Sequence, residues 1–66
     1  MAEFSLSRRV KSILKKAEKP MKARAIAREI REATGHDIGR KDVNSVLYFE
    51  LKGQAEKDEN HAWKMI

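Results

Sequence analysis

Within nine residues the chain places Arg40, Lys41, Asn44, Ser45 and Tyr48 so that, on a helix, all five fall on one side. Val43, Val46 and Leu47 fall on the other side and can anchor that helix to a core. Two cations, a carboxamide, a hydroxyl and a phenol on one face suit the backbone of a nucleic acid. The cations neutralise phosphates and the polar groups donate to phosphate oxygens, which fixes position without reading sequence. Tyr48 can also stack on or wedge against an exposed base. Fifteen residues later Trp63 and Lys64 add an indole and a further cation. Both aromatics also fit plainer roles, Tyr48 as a half-buried ring where the helix meets the next element and Trp63 as a core anchor.

Other chemistries find little to work with. The 66 residues include no cysteine, which removes disulfides and thiolate metal sites. His36 and His61 have neither a second histidine at helical spacing nor a nucleophile motif beside them, and Gly35, Gly39 and Gly53 are scattered singly, forming no phosphate loop. A core this small leaves little room for a buried catalytic pocket. The expectation is a binding domain and not an enzyme, with no cofactor, no metal and no small-molecule substrate. No apolar run approaches the ~20 residues that span a bilayer, so no membrane partner is expected. The chain reads as soluble and intracellular, in the cytoplasm or, in a eukaryote, the nucleus.

The net charge of +5 favours an anionic partner. Its distribution is uneven. From Arg8 to Arg31 ten Lys/Arg stand against two acids, Glu18 and Glu29, whereas from Glu32 to Ile66 five stand against seven. The basic half is therefore not the half that carries the Arg40–Tyr48 face.

Three helices must position that face. Leu6, Val10, Ile13, Leu14 and Ala17 recur at helical spacing, which predicts a first helix from Ser5 or Ser7 to about Glu18, ended by Pro20. Pro20-Met21-Lys22 reads as a short extended piece. A second helix is predicted from Ala23 to Thr34, burying Ala23, Ile26, Ala27, Ile30 and Ala33, with Gly35 as its left-handed cap. After a tight turn that packs Ile38 down, a third helix runs from Arg40 to Leu51, with Phe49 expected to tuck inward. Gln54–Lys57 and His61–Ile66 then form a hairpin across Asp58-Glu59-Asn60, with Ala55, Trp63 and Met65 inward. The expected fold is α+β: a small winged helix-turn-helix, with a short first strand and a C-terminal β-hairpin wing, as a single domain over residues 1–66 and part of a longer protein.

The run Lys41-x-x-Asn44-x-x-Leu47-Tyr48, with Trp63-Lys64 on the last strand, resembles the Z-alpha domains, winged helices that bind left-handed duplexes. The resemblance implies that Asn44 binds backbone phosphate, that the Tyr48 ring lies against a syn base and that Trp63 supports it, with Arg40 and Lys41 as phosphate cations. It also implies Z-DNA or Z-RNA as the ligand. The chain departs from that family in having no proline pair before Trp63, Ser45 where a second basic residue is usual, and acids (Glu56, Asp58, Glu59) around the wing tip.

Taken together, the residues point to a nucleic-acid-binding domain that docks its third helix on duplex DNA. The alternative is a protein-interaction module on the same scaffold. One winged helix has limited contact area, so affinity is expected to draw on self-association or a tethered neighbouring domain.

Overall fold

The computed structural model describes residues 4–66. Helix α1 (Leu6–Lys16) starts at Ser5, whose Oγ accepts the Arg8 N–H at 3.4 Å, and it carries Lys15 and Lys16 in its last turn, where they suit the negative end of the helix dipole. It stops two residues short of Glu18. Ala17 is already extended, although its N–H still reaches the Ile13 carbonyl at 3.0 Å, because Pro20 forbids helical backbone before it and the unwinding spreads back.

Strand β1 (Met21–Lys22) leads directly into α2 (Ala23–Thr34), which has the predicted bounds. Gly35 ends α2 at φ 77, a conformation that costs glycine nothing, and its N–H donates to the Arg31 carbonyl at 2.9 Å. Arg31 Nη1 then donates to the Ile38 carbonyl at 2.8 Å, tying α2 to the turn that aims the next helix. Ala33, expected inside, is exposed. It lies on the edge of the apolar stripe in the last turn, lining an open groove beside the start of α1.

Helix α3 (Arg40–Ser45) begins where the Asp42 carboxylate takes the Gly39 N–H at 3.0 Å. It continues without a break as a π-helical turn (Val46–Glu50), closed by the Leu51 N–H on the Val46 carbonyl at 2.9 Å. Uninterrupted α-helical spacing would put Glu50, at i+7, i+4 and i+3 from Val43, Val46 and Leu47, into the core. The wider turn adds one residue, so Leu51 takes the inward position and Glu50 stays outside. Phe49 is carried to the far side and is 82% exposed, against the expectation that it tucks in.

Strands β2 (Ala55–Lys57) and β3 (Ala62–Met65) form the hairpin. The antiparallel sheet has the order β1-β3-β2, with Met21 opposite Trp63 and Lys57 opposite Trp63 on the other side. One core joins Val10 and Leu14 of α1, Ile26, Ala27 and Ile30 of α2, Val43, Val46, Leu47 and Leu51 of the third helix, and Ala55 and Trp63 of the sheet. No helix among the described residues is long and apolar enough to cross a membrane. Three helices and a three-stranded antiparallel sheet in this order make a winged helix.

Candidate nucleic-acid interface

On the third helix Arg40, Asn44 and Tyr48 follow one another at intervals of four and make one row along the exposed side. Lys41 and Ser45, both exposed, form the neighbouring row that leads to Phe49. The first row lines a concavity of about 390 Å³ whose other walls come from two distant parts of the chain. Lys22, Ala23 and Arg24 approach from the junction of β1 and α2, and Lys57, Asn60 and His61 from the hairpin. Four cations thus surround a carboxamide and a phenol, and no acid lines the space. The uneven charge of the sequence is resolved here: the β1–α2 junction delivers two cations of the basic half, Lys22 and Arg24, to the α3 face.

Tyr48 is about half exposed and held from two sides. Its ring meets the Trp63 indole edge-on, with centroids 5.2 Å apart and planes at 88°, the arrangement aromatic quadrupoles favour. Lys57 Nζ donates to its hydroxyl at 2.7 Å and lies 5.3 Å from its ring centroid. Trp63 is only 6% exposed, so it braces Tyr48 and offers a ligand little surface of its own.

Lys64, grouped with this face in the sequence, lies elsewhere. Successive strand residues point to opposite sides of the sheet, so Lys64 turns away from Trp63 and pairs with its cross-strand neighbour Glu56 at 3.4 Å. The same alternation brings Lys57 onto the Trp63 side. Lys57 could have been found from that period, whereas Lys22, Arg24, Asn60 and His61 come in only through tertiary packing.

Two of the three acids of the wing are engaged within it. Glu56 is paired on the far side of the sheet, and Asp58 is turned inward on the backbone: its Oδ1 accepts the N–H of Asn60 at 2.8 Å and of Ala62 at 3.0 Å. The turn closes with the His61 N–H on the Asp58 carbonyl at 3.1 Å and the Asp58 N–H on the Ala62 carbonyl at 2.9 Å, leaving His61 left-handed at φ 62. Asn60 and His61 are held beside the α3 row by this closure.

Comparison with known proteins agrees with the architecture. No curated protein and no solved structure matches the chain significantly. Residues 5–48, two-thirds of the chain, match the family described as the repressor Rok winged helix domain. The match runs from the cap of α1 through the whole Arg40–Asn44–Tyr48 row and stops before the hairpin. With three helices and a three-stranded sheet in winged-helix order, and two-thirds of its length matched, the chain belongs to the repressor Rok winged helix family.

Proposed function

We propose that the chain is a duplex-DNA-binding domain that lays the Arg40–Asn44–Tyr48 row against the phosphate backbone, with Lys22, Arg24 and Lys57 neutralising phosphates on either side. The observation that carries this reading is the convergence of four cations, with no acid, on one concavity spanning α2, α3 and the hairpin. Membership in a repressor family supports DNA as the partner. Asn44 is the position-fixing donor, and Tyr48, braced by Trp63, is a rigid ring set to press on sugar or base.

Fluorescence anisotropy on a labelled duplex tests this. Arg40→Ala, Asn44→Ala and Lys57→Ala are each expected to weaken binding about 10- to 150-fold, the worth of one hydrogen bond to a charged group, with little change in melting temperature. With four phosphate contacts the parent's log–log salt slope is about −3.6, and Arg40→Ala reduces it by about one. Variants that bind as the parent does would refute the assignment.

Ordinary right-handed duplex is the ligand we favour. The left-handed form implied by the Z-alpha resemblance rests on residues 41–48 and 63–64. If it is the ligand, an alternating CG duplex inverts its circular dichroism at saturating protein.

One observation favours a second reading. Phe49 stands exposed beside an open groove of about 570 Å³ between the π-helical turn and β2, which suits a protein partner. Phe49→Gln leaves duplex affinity unchanged if DNA is the ligand of the neighbouring concavity.

A further inference from the structure

The described residues hold a second basic surface that the α3 site does not use. On α1, Arg8, Lys11, Ser12, Lys15 and Lys16 line one shallow groove with no acid among them, while Glu50 shares the adjoining groove with Arg8 and Lys11. None of these four cations is in an ion pair with another described residue. Arg8, Lys11 and Lys15 recur every three or four residues, so positive charge repeats about every 5 Å along the helix axis. That is a linear array, matched by chemistry to the closely spaced phosphates of a duplex.

This surface is separate from the first. The two sites share no lining residue. Helix α1 turns Val10 and Leu14 into the core, and the third helix turns Val43, Val46 and Leu47 into the same core from another side, so their solvent faces diverge. The domain is 21 by 19 Å in its two shorter dimensions, and salt screens charge over about 8 Å at physiological ionic strength. A straight duplex seated on the Arg40–Tyr48 row is therefore expected to leave the α1 array free, which the α1 variant below tests.

We infer that the α1 array is a second phosphate-binding face, so that one copy of the domain holds two separate duplex segments. This rests on the α3 site being a duplex site. The test compares the parent with two variants. One carries Arg8→Gln, Lys11→Gln, Lys15→Gln and Lys16→Gln, substitutions that keep helix propensity; the other carries Arg40→Ala with Asn44→Ala. Melting temperature establishes folding and sedimentation velocity the monomeric state. Anisotropy on a 16-base-pair duplex reads the first site. Capture of a free fluorescent duplex by a bead-bound duplex reads both sites together.

The expected result is that the α1 variant binds the single duplex within about 3-fold of the parent and loses at least 10-fold of the capture. The Arg40/Asn44 variant loses single-duplex affinity. Capture that survives in the α1 variant, or a monomeric parent that binds one duplex and captures no second, overturns the inference and leaves the α3 site standing. An α1 variant that loses single-duplex affinity as fully as capture also overturns it, since the two faces would then be one. If the α1 variant loses binding while the Arg40/Asn44 variant keeps it, both this inference and the proposed function fail. Vesicles of phosphatidylcholine and phosphatidylserine at 7:3 form a last arm: parent-only sedimentation with them, without duplex capture, reassigns the array to lipid and overturns the inference.

Discussion

Asp58 should be worth more as a backbone acceptor than it costs as a negative charge near DNA, and paired substitutions separate the two effects. Its Oδ1 accepts two N–H groups, that of Ala62, a buried residue, and that of Asn60, which is exposed. Asp58→Ala leaves the Ala62 N–H without its side-chain acceptor at a cost of about 1 kcal/mol, and water replaces the acceptor at Asn60 for a few tenths more. Asp58→Asn keeps a carbonyl oxygen in place but loses the charge, and a neutral hydrogen bond is about half as strong, so roughly half the stabilisation survives. For a domain of this size 1 kcal/mol moves the midpoint by about 4–8 °C. Thermal melts followed by circular dichroism should rank parent above Asp58→Asn above Asp58→Ala. Both variants delete the same charge, so a purely electrostatic wing predicts equal duplex affinity for the two. If the turn positions Asn60 and His61 at the site, Asp58→Ala binds less tightly than Asp58→Asn. Equal melting points for the two variants, or Asp58→Asn as the less stable, would refute the closure as described.

Ile30 is fully buried, and Ile30→Ala should cost about 2–5 kcal/mol by urea denaturation, a large share of the stability of a domain this small. Tyr48→Phe keeps the edge-on contact with Trp63 and loses only the exposed bond from Lys57, so stability should change by less than about 0.5 kcal/mol while duplex affinity falls; Trp63→Ala should cost about 3–5 kcal/mol. His61→Gly relieves a positive φ and should leave the melting point unchanged or raise it, by no more than about 1 kcal/mol of stability; a loss of stability would show that the imidazole makes contacts that outweigh the backbone strain.

Much of the fold can be read from strong local signals. Ile26, Ala27 and Ile30 at helical spacing, with Pro20 before them and Gly35 after, define α2 to the residue. The alternation of Trp63 and Met65 around Lys64 defines the last strand. Phe49 falls off the Val43–Val46–Leu47 stripe by spacing alone, and the second helix and the wing leave it uncovered. What a uniform period of 3.6 does not foretell is the extra residue of the π-helical turn, which puts Leu51 where Glu50 would otherwise be buried. The site was half legible. Arg40, Asn44 and Tyr48 announce themselves by spacing on one helix, whereas Lys22, Arg24 and Lys57 join them from three separate elements, which no local pattern encodes. Lys64 stands off the row although it follows Trp63 directly, because adjacent strand residues cannot share a face of the sheet.

The π-helical turn has a consequence for how this sequence can change in length. Such a turn is an α-helix carrying one residue more than its hydrogen bonds need, and Phe49 is the residue pushed furthest from the core. Removing Phe49 alone would bring Leu47 and Leu51 to a spacing of three, which an ordinary α-helix puts on one side. The hairpin would keep its register and the core its members. Elsewhere in the third helix a one-residue deletion would rotate everything beyond it by about 100° and expose the buried stripe. Single-residue length variation among relatives is therefore expected to concentrate between Val46 and Glu50.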